Sequence, residues 1–344
     1  EPAVSPQPTA AQPSAPTLEM VAAVAGVSRS TVSRVVNASP RVTAEAVEAV
    51  TAAIEQLGYV PNRAARSLAS RRTFTIALVI PENTARFFAD PYFASVIQGV
   101  AMYLSGTDYT LTLLIASEAD PEKTRRYLQG GNVDGALILS HHRDDRSYVQ
   151  LARTLPVVFG GRPMSQEGPD NYIVDVDNVA ASVQATQYLV DHGRRRIATI
   201  TGPQNMAAGL DRLEGWRQVL AQNSIADDLV EEGDFTPAGG EAAMTKLLER
   251  GIPFDGIFVA SAQMAAGALG VLGKHGLAVP RDVAITTMDN DYYAKNATPP
   301  LTTIDQPAGT QGAKIAEVLV QLINGEHVEK LTLIPTELIE RESV

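Results

Sequence analysis

The chain has 344 residues, 45% of them hydrophobic and 19% charged, which is enough to bury substantial cores and longer than one ordinary domain, so two or three domains are expected. It contains no cysteine, which excludes disulfide frameworks, thiolate metal sites and cysteine nucleophiles, and it has no apolar run near the roughly 18 residues that a membrane span needs. The net charge of −11 is uneven: residues 17–73 carry seven arginines against four glutamates, a net of +3, whereas residues 74–344 carry 21 basic and 34 acidic side chains, a net of −13. A basic end ahead of an acidic body is the asymmetry of a protein whose one end meets phosphate.

Residues 1–16 hold five prolines, no basic residue and no apolar core, so they read as a disordered leader and not as a signal peptide. From Thr17 the text TLEMVAAVAGVSRSTVSRVVN places Leu18, Val21, Ala22 and Ala25 on one helical face and Val32, Val35 and Val36 on a second. Between them, Ala22 lets two helices cross closely, Gly26 tolerates the positive φ of a tight turn, and Ser28 is a competent N-cap. Asn37 closes the second helix, and a third follows Thr43, with Val47, Val50, Ile54 and Leu57 at helical spacing before Gly58. Residues 17–60 therefore read as a small all-α helix-turn-helix headpiece. In such a unit the start of the second helix faces the major groove, which puts Arg29, Ser30 and Arg34 within reach of base edges. Arginine donates twice to guanine, while Ser28, Thr31 and Asn37 offer short groups suited to phosphate. The competing reading is three solvated polar residues on an ordinary helical hairpin.

Residues 61–73 read as a hinge helix or linker. Pro61 opens YVPNRAARSLASRRT, which holds Arg63, Arg66, Arg71 and Arg72 and offers about nine residues of helix, a length that is marginal alone. Such a segment orders on binding if it lies in a minor groove, with Ala64, Ala65 and Ala69 keeping it slim and Leu68 as an apolar wedge. A plain basic linker is the alternative. The pairing of TLEMVAAVAGVSRSTVSRVVN with GYVPNRAARSLASRRT resembles the headpiece and hinge helix of the LacI family of bacterial transcriptional regulators. The resemblance implies that Arg29, Ser30 and Arg34 read operator bases and that Leu68 intercalates at the operator centre, with Ala65 beside it. It further implies that Thr17, Ser28, Thr31, Asn37 and Asn62 contact the DNA backbone.

From Phe74 short apolar runs alternate with amphipathic stretches. Strands are expected at 75–80, 110–115, 134–140, 156–160, 172–176, 196–201, 255–260 and 283–288, some ten in all, with helices near 92–105, after Pro121 and between most of the others. That repetition predicts parallel sheets covered on both faces, in two doubly wound α/β lobes. Ligands in such folds lie beyond the carboxyl ends of strands, so Asp90-Pro91-Tyr92-Phe93, Arg212, Phe235 and Asp289, placed on post-strand loops, form a candidate cleft. Aromatic faces beside charged hydrogen-bonding ends suit a sugar, although Tyr92 and Phe93 fit a core contact at a helix start equally well.

The family's body resembles periplasmic sugar-binding proteins, and its signatures recur as VDVDN at 174–178, DHGRRRIATITGP at 191–203, DRLEGWR at 211–217, VPRDVAITTMDND at 279–291 and PPLTTIDQP at 299–307. The resemblance assigns Tyr92, Phe93, Arg212, Phe235, Ser261 and Asp289 to an effector pocket. Ser261-Ala262 departs from the usual Asn-Asp or Ser-Asp pair, and Met206 and Ala208 stand where purine-binding members carry polar ligands, which disfavours a purine. The implied effector is a mono- or disaccharide, of the kind used by actinobacterial cellobiose or maltose repressors. Residues 74–344 then form an effector-binding and dimerisation domain.

No HExxH, GxSxG or GxGxxG motif occurs, and Gly273-Lys274 is followed by His275 where a phosphate loop needs Ser or Thr. His141-His142 with Asp144 and Asp145 lacks the helical spacing of metal ligands and reads as a polar loop. The expectation is a cytoplasmic, non-enzymatic repressor without cofactor or metal, a homodimer or tetramer on double-stranded operator DNA, relieved by a sugar held between two lobes. The rivals are a sugar-binding transport receptor, against which residues 17–73 argue, and a sugar-modifying enzyme, which lacks a catalytic constellation.

Overall fold

A computed structural model describes residues 16–37, 39–60, 72–82, 84–115, 121–140, 142, 147–164 and 171–344. The expectations for residues 1–15, Pro61, Asn62, Arg63, Ala64, Ala65, Arg66, Leu68, Ala69, Arg71, His141, Asp144 and Asp145 lie outside the described residues. The chain divides between Thr73 and Phe74 into two compact units.

The first unit is built of α1 (Leu18–Ala25), α2 (Arg29–Val36) and α3 (Ala44–Leu57). Each begins at a side-chain cap: Thr17, Ser28 and Thr43 accept the backbone N–H of Met20, Thr31 and Ala46. Gly26 ends α1 in the left-handed region at φ 65°, which a β-carbon would strain, and so turns the chain into α2. Val21, Ala22, Val32, Val50 and Ala53 form the core, closed by Tyr59. Val47, expected on the buried face of α3, is instead 42% exposed, because the stripe that meets α1 runs through Val50, Ala53 and Ile54.

The second unit holds two six-stranded sheets. Its strands are β1 (Thr75–Ile80), β2 (Thr110–Ile115), β3 (Gly135–Leu139), β4 (Val157–Gly160), β5 (Tyr172–Val176), β6 (Ile197–Thr201), β7 (Val230–Glu232), β8 (Gly256–Val259), β9 (Ala284–Met288), β10 (Thr302–Asp305), β11 (Leu331–Ile334) and β12 (Glu337–Ile339). Lobe 1 has the order β11-β5-β4-β3-β1-β2 and lobe 2 the order β12-β10-β9-β8-β6-β7. Central strands such as IALVI and IATIT are buried on both faces by flanking helices, as their unbroken apolar or Thr-rich text requires.

All pairings are parallel save one: β12 runs antiparallel to β10, a departure from the expected wholly parallel sheets. The chain passes between lobes three times, after β5, after β10 and between β11 and β12. The helix Ala308–Ile323 thereby returns to lobe 1 and crosses the helix Pro91–Leu104 so closely that a β-carbon on Gly312 would meet the Val96 backbone carbonyl. The helix Asn178–Asp191 belongs to lobe 2, where Ala181, Ala185 and Leu189 pack with Trp216, Phe258 and Met288.

Candidate functional site

In the first unit, Thr17, Ser28, Arg29, Ser30, Arg34 and Asn37 are all exposed, and Thr31 is half-buried. The Ser28 hydroxyl accepts the Thr31 N–H at 3.1 Å and shares hydrogen bonds with the hydroxyls of Ser30 and Thr31. The amide of Asn37 donates to the Ser33 carbonyl at 2.8 Å and closes α2. Arg29 projects from the first turn of α2 and pairs with Glu19 on α1 at 3.1 Å. The Glu19 carboxyl is held below the usual carboxylate range by backbone hydrogen bonding and then by Arg29. α2 thus presents Arg29 in its first turn, Arg34 in its last turn and the hydroxyls of Ser28 and Ser30 to solvent, the equipment for guanine edges and phosphate oxygens.

In the second unit a cleft of about 800 Å³, its open mouth included, separates the two lobes. Its lining residues follow the carboxyl ends of strands in both sheets, as open α/β folds dictate. Lobe 1 supplies Arg86 and Asp90 after β1, Ser140 after β3, Gly161 and Arg162 after β4, and Asp175 at the end of β5. Lobe 2 supplies Met206 and Ala208 after β6, Phe235 after β7, Ser261 and Gln263 after β8, and Asp289 after β9. Five non-glycine residues among those described adopt left-handed φ, and three of them, Ser140 (56°), Phe235 (65°) and Asp289 (78°), line this cleft. Such conformations cost about 1–3 kcal/mol each and persist where the surroundings dictate a side chain's direction.

Arg212 is the anchor of lobe 2. It does not sit on a post-strand loop, as expected, but within the helix Ala207–Gln222, where it is 4% exposed. Its Nε donates to Asn178 at 2.9 Å, one Nη to the Ala260 carbonyl at 2.6 Å and the other to Gln306 at 3.4 Å. Gln306 in turn donates to Asp289, so arginine, amide and carboxylate form one chain. Burial pushes the Asp289 carboxyl up, against the pull of Arg212 and Gln306. Arg212 and Asp289 therefore share a lobe and line one side of the cleft.

The opposite wall is Asp90, Tyr92 and Asp175. Asp90 caps the helix Pro91–Leu104 by accepting the Tyr92 N–H at 3.0 Å, and burial, with Asp289 and Asp291 adding like charge, pushes its carboxyl up to about 6. The Tyr92 hydroxyl donates to Gln311 at 3.0 Å. Phe93 is 2% exposed and packs beside Phe87 and Tyr92, so it serves the lobe 1 core at the wall of the cleft. Ser261 is 3% exposed and spends its hydroxyl capping the helix Ala262–Lys274 through Met264.

The lobes meet through side chains as well as crossovers. Arg162 pairs with Asp211 at 2.7 Å, and Arg86 reaches Met206 and the ring of Phe235. Sequence reasoning missed Arg86, Asp175, Asn178 and Gln306. For three of them the signal existed, since VDVDN contains Asp175 and Asn178, and PPLTTIDQP contains Gln306. Arg86 has no motif around it. Among the described residues no cluster of His, Asp or Glu is arranged to hold a metal ion, and no helix is long and apolar enough to cross a membrane.

A three-helix headpiece with an exposed arginine-bearing second helix, joined to a two-lobed body with a polar and aromatic cleft, defines a ligand-responsive DNA-binding regulator. Residues 17–62 match the bacterial regulatory proteins of the lacI family, and residues 186–344 match the periplasmic binding protein-like domain. The chain is 46% identical to the HTH-type transcriptional regulator CelR of Thermobifida fusca, over 95% of this chain and 98% of that protein. It is 35% identical to the ribose operon repressor of Escherichia coli K12, over 95% and 99% of the two chains. Among solved structures it resembles the transcriptional regulator CelR–cellobiose complex, with TM-score 0.76 and 44% identity over 96% of this chain and all of that one. It also resembles the lac repressor dimer bound to operator and the anti-inducer ONPF, with TM-score 0.84 and 28% identity over 96% and 99%. The chain belongs to the LacI family, and it is a helix-turn-helix transcriptional regulator, not an enzyme.

Proposed function

We propose that this regulator is a cytoplasmic homodimeric repressor that holds a sugar between its lobes and loosens its operator when the sugar binds. The observation that carries the sugar reading is the pairing of one aromatic ring, Phe235, with a fixed donor and a fixed acceptor, Arg212 and Asp289, in the cleft between the lobes. A sugar lays its apolar C–H face on such a ring and trades hydroxyl pairs with the charged groups. Cellobiose is the first candidate, because a relative of 44% identity is described in complex with it. Tyr92, Phe235, Arg212 and Asp289 contact the sugar directly, while Phe93 and Ser261 shape the wall behind them.

Arg29, Ser30 and Arg34 read bases, and Thr17, Ser28, Thr31, Asn37 and Asn62 hold the phosphate backbone. Residues 61–73, with Ala65 and Leu68, serve as the hinge in the minor groove. One headpiece buries too little surface for tight specific binding, so two copies on a two-fold operator are required, as in the lac repressor dimer bound to its operator. Calorimetric titration of the full chain with cellobiose, maltose and ribose tests the reading. Saturable binding of cellobiose in preference to ribose supports it, and heat of dilution alone with all three sugars overturns it.

A further inference from the structure

We propose that Arg86 occupies the ring of Phe235 on which the sugar would stack, and that a sugar enters the cleft by displacing it. Arg86 lies on the helix Thr84–Ala89 of lobe 1, whereas Phe235 follows β7 in lobe 2. Its guanidinium carbon nevertheless stands 5.6 Å from the centroid of Phe235, inside the distance of about 6 Å at which a cation is attracted to a ring face. One Nη lies 3.9 Å from the Met206 sulfur, also in lobe 2. Arg86 therefore reaches across the cleft and makes its far contacts with groups a ligand would touch.

A second guanidinium, that of Arg212, stands at the same 5.6 Å from this ring. Arg212 is held by Asn178, the Ala260 carbonyl and Gln306, all gathered around lobe 2, so its contact belongs to the lobe itself. Arg86 is different, because its root is on the opposite lobe and any change in lobe separation moves it relative to the ring. Its anchor is Glu82, whose carboxylate lies 3.3 Å from Nη1.

Glu82 is 3% exposed, accepts from the Ser140 hydroxyl and lies 2.9 Å from His142 Nε2. Those partners keep the carboxylate in place and ionised, so the guanidinium retains its counter-charge when it leaves the ring. Displacement then exchanges one cation–π contact for one sugar C–H contact and strands no buried charge. The exchange favours ligands that offer an extended apolar face and penalises those that only hydrogen-bond, which makes Arg86 a specificity-determining residue.

This inference rests on the sugar reading of the same cleft, and cellobiose titrations of wild type, Arg86→Ala, Arg86→Lys, Phe235→Leu and the Arg86→Ala/Phe235→Leu double variant separate the two. Arg86→Ala is expected to bind cellobiose about 3- to 10-fold more tightly than wild type, the equilibrium equivalent of one partly desolvated cation–π contact. On the Phe235→Leu background the same change is expected to have no effect. If Arg86→Ala folds poorly by circular dichroism, Arg86→Lys keeps a partner for Glu82 while stacking less well, and is expected to tighten binding by a smaller factor. Weaker or unchanged binding in the folded Arg86 variants, with wild type binding normally, overturns the displacement. Cellobiose binding to none of the proteins overturns the sugar reading and the displacement with it.

Discussion

At the scale of single residues, the arginines of α2 differ in what they must give up to read DNA. Both are exposed, but Arg29 pairs with Glu19 and, on the proposed reading, must exchange that carboxylate for a base edge. Each guanidinium–guanine contact is worth about 1–3 kcal/mol of discrimination. Arg34→Ala is expected to cost that much in operator affinity and to relax preference at one position per half-site. Arg29→Ala should cost less, because it also removes the pairing with Glu19. Fluorescence anisotropy on operator and on scrambled DNA checks this, and equal losses on both would reassign the arginines to phosphate. Asp90 offers a second test, in pH. Its folded pKa of about 6 lies above the ordinary 3.8, so between these values the folded chain keeps a proton that the unfolded chain has lost. The contribution of Asp90 to stability therefore falls as pH rises from about 4 to 6 and stays lost above that window. Asp90→Asn keeps an N-cap oxygen for Tyr92 without the charge. It is expected to raise stability by on the order of 1 kcal/mol at pH 8 and by little at pH 4. Thermal unfolding at both pH values decides it, and a variant that gains more at pH 4 would mean that burial does not hold the proton there.

At the scale of elements, small residues set how closely helices approach. Gly312 lies where the helices Pro91–Leu104 and Ala308–Ile323 cross, against the Val96 backbone, which has no rotamer by which to yield. Alanine gains about 1 kcal/mol of helix propensity but overpacks the crossing by about 1–3 kcal/mol or more, so Gly312→Ala is expected to be destabilising on balance. Gly270, in the helix Ala262–Lys274, has open space where a β-carbon would go. There the propensity gain stands alone, so Gly270→Ala should stabilise. Urea unfolding of the two variants measures the pair, and a stabilised Gly312→Ala would show that the crossing can open. These contrasts also mark what a sequence reveals. Buried strands such as IALVI and GALIL announce themselves, because being covered on both faces demands an unbroken apolar run. Strand β10 does not, since its TTID text holds two fully buried threonines that resemble a loop, and β7 and β12 have three residues each. Val47 sits at perfect helical spacing yet faces out, because periodicity names a stripe and only the neighbouring helix decides which edge of it is covered. Motif residues such as Arg212 and Asp289 could be placed in a cleft in advance. The shared lobe of that pair, and the reach of Arg86 to a ring 149 positions later, arise from the passages of the chain between lobes and one side-chain path that no local pattern encodes.

At the scale of the whole molecule, the cleft and the DNA-reading helix belong to separate units, so any control must pass through a change in the equilibrium between states of the body. A ligand shifts that equilibrium only by its differential affinity for the two states, and the coupling is reciprocal. Arg212 and Asp289 are fixed in lobe 2 through Gln306, while Asp90, Tyr92 and Asp175 face them from lobe 1, so a sugar that engages both walls favours one lobe separation over others. On the proposed reading of a repressor relieved by its sugar, that separation is the one that weakens DNA binding. Saturating cellobiose is expected to weaken the operator complex by about 1–3 kcal/mol, and operator DNA to weaken cellobiose binding by the same factor. Asp289→Ala removes an acceptor from the cleft and changes no residue of the first unit. Its operator affinity should match wild type while its response to cellobiose disappears. Operator titrations of both proteins, with and without saturating cellobiose, distinguish the possible outcomes. A normal response in Asp289→Ala would remove Asp289 from the sugar's contacts. A tighter wild-type operator complex in the presence of sugar would reverse the sign, making the sugar-bound lobe separation the DNA-binding one.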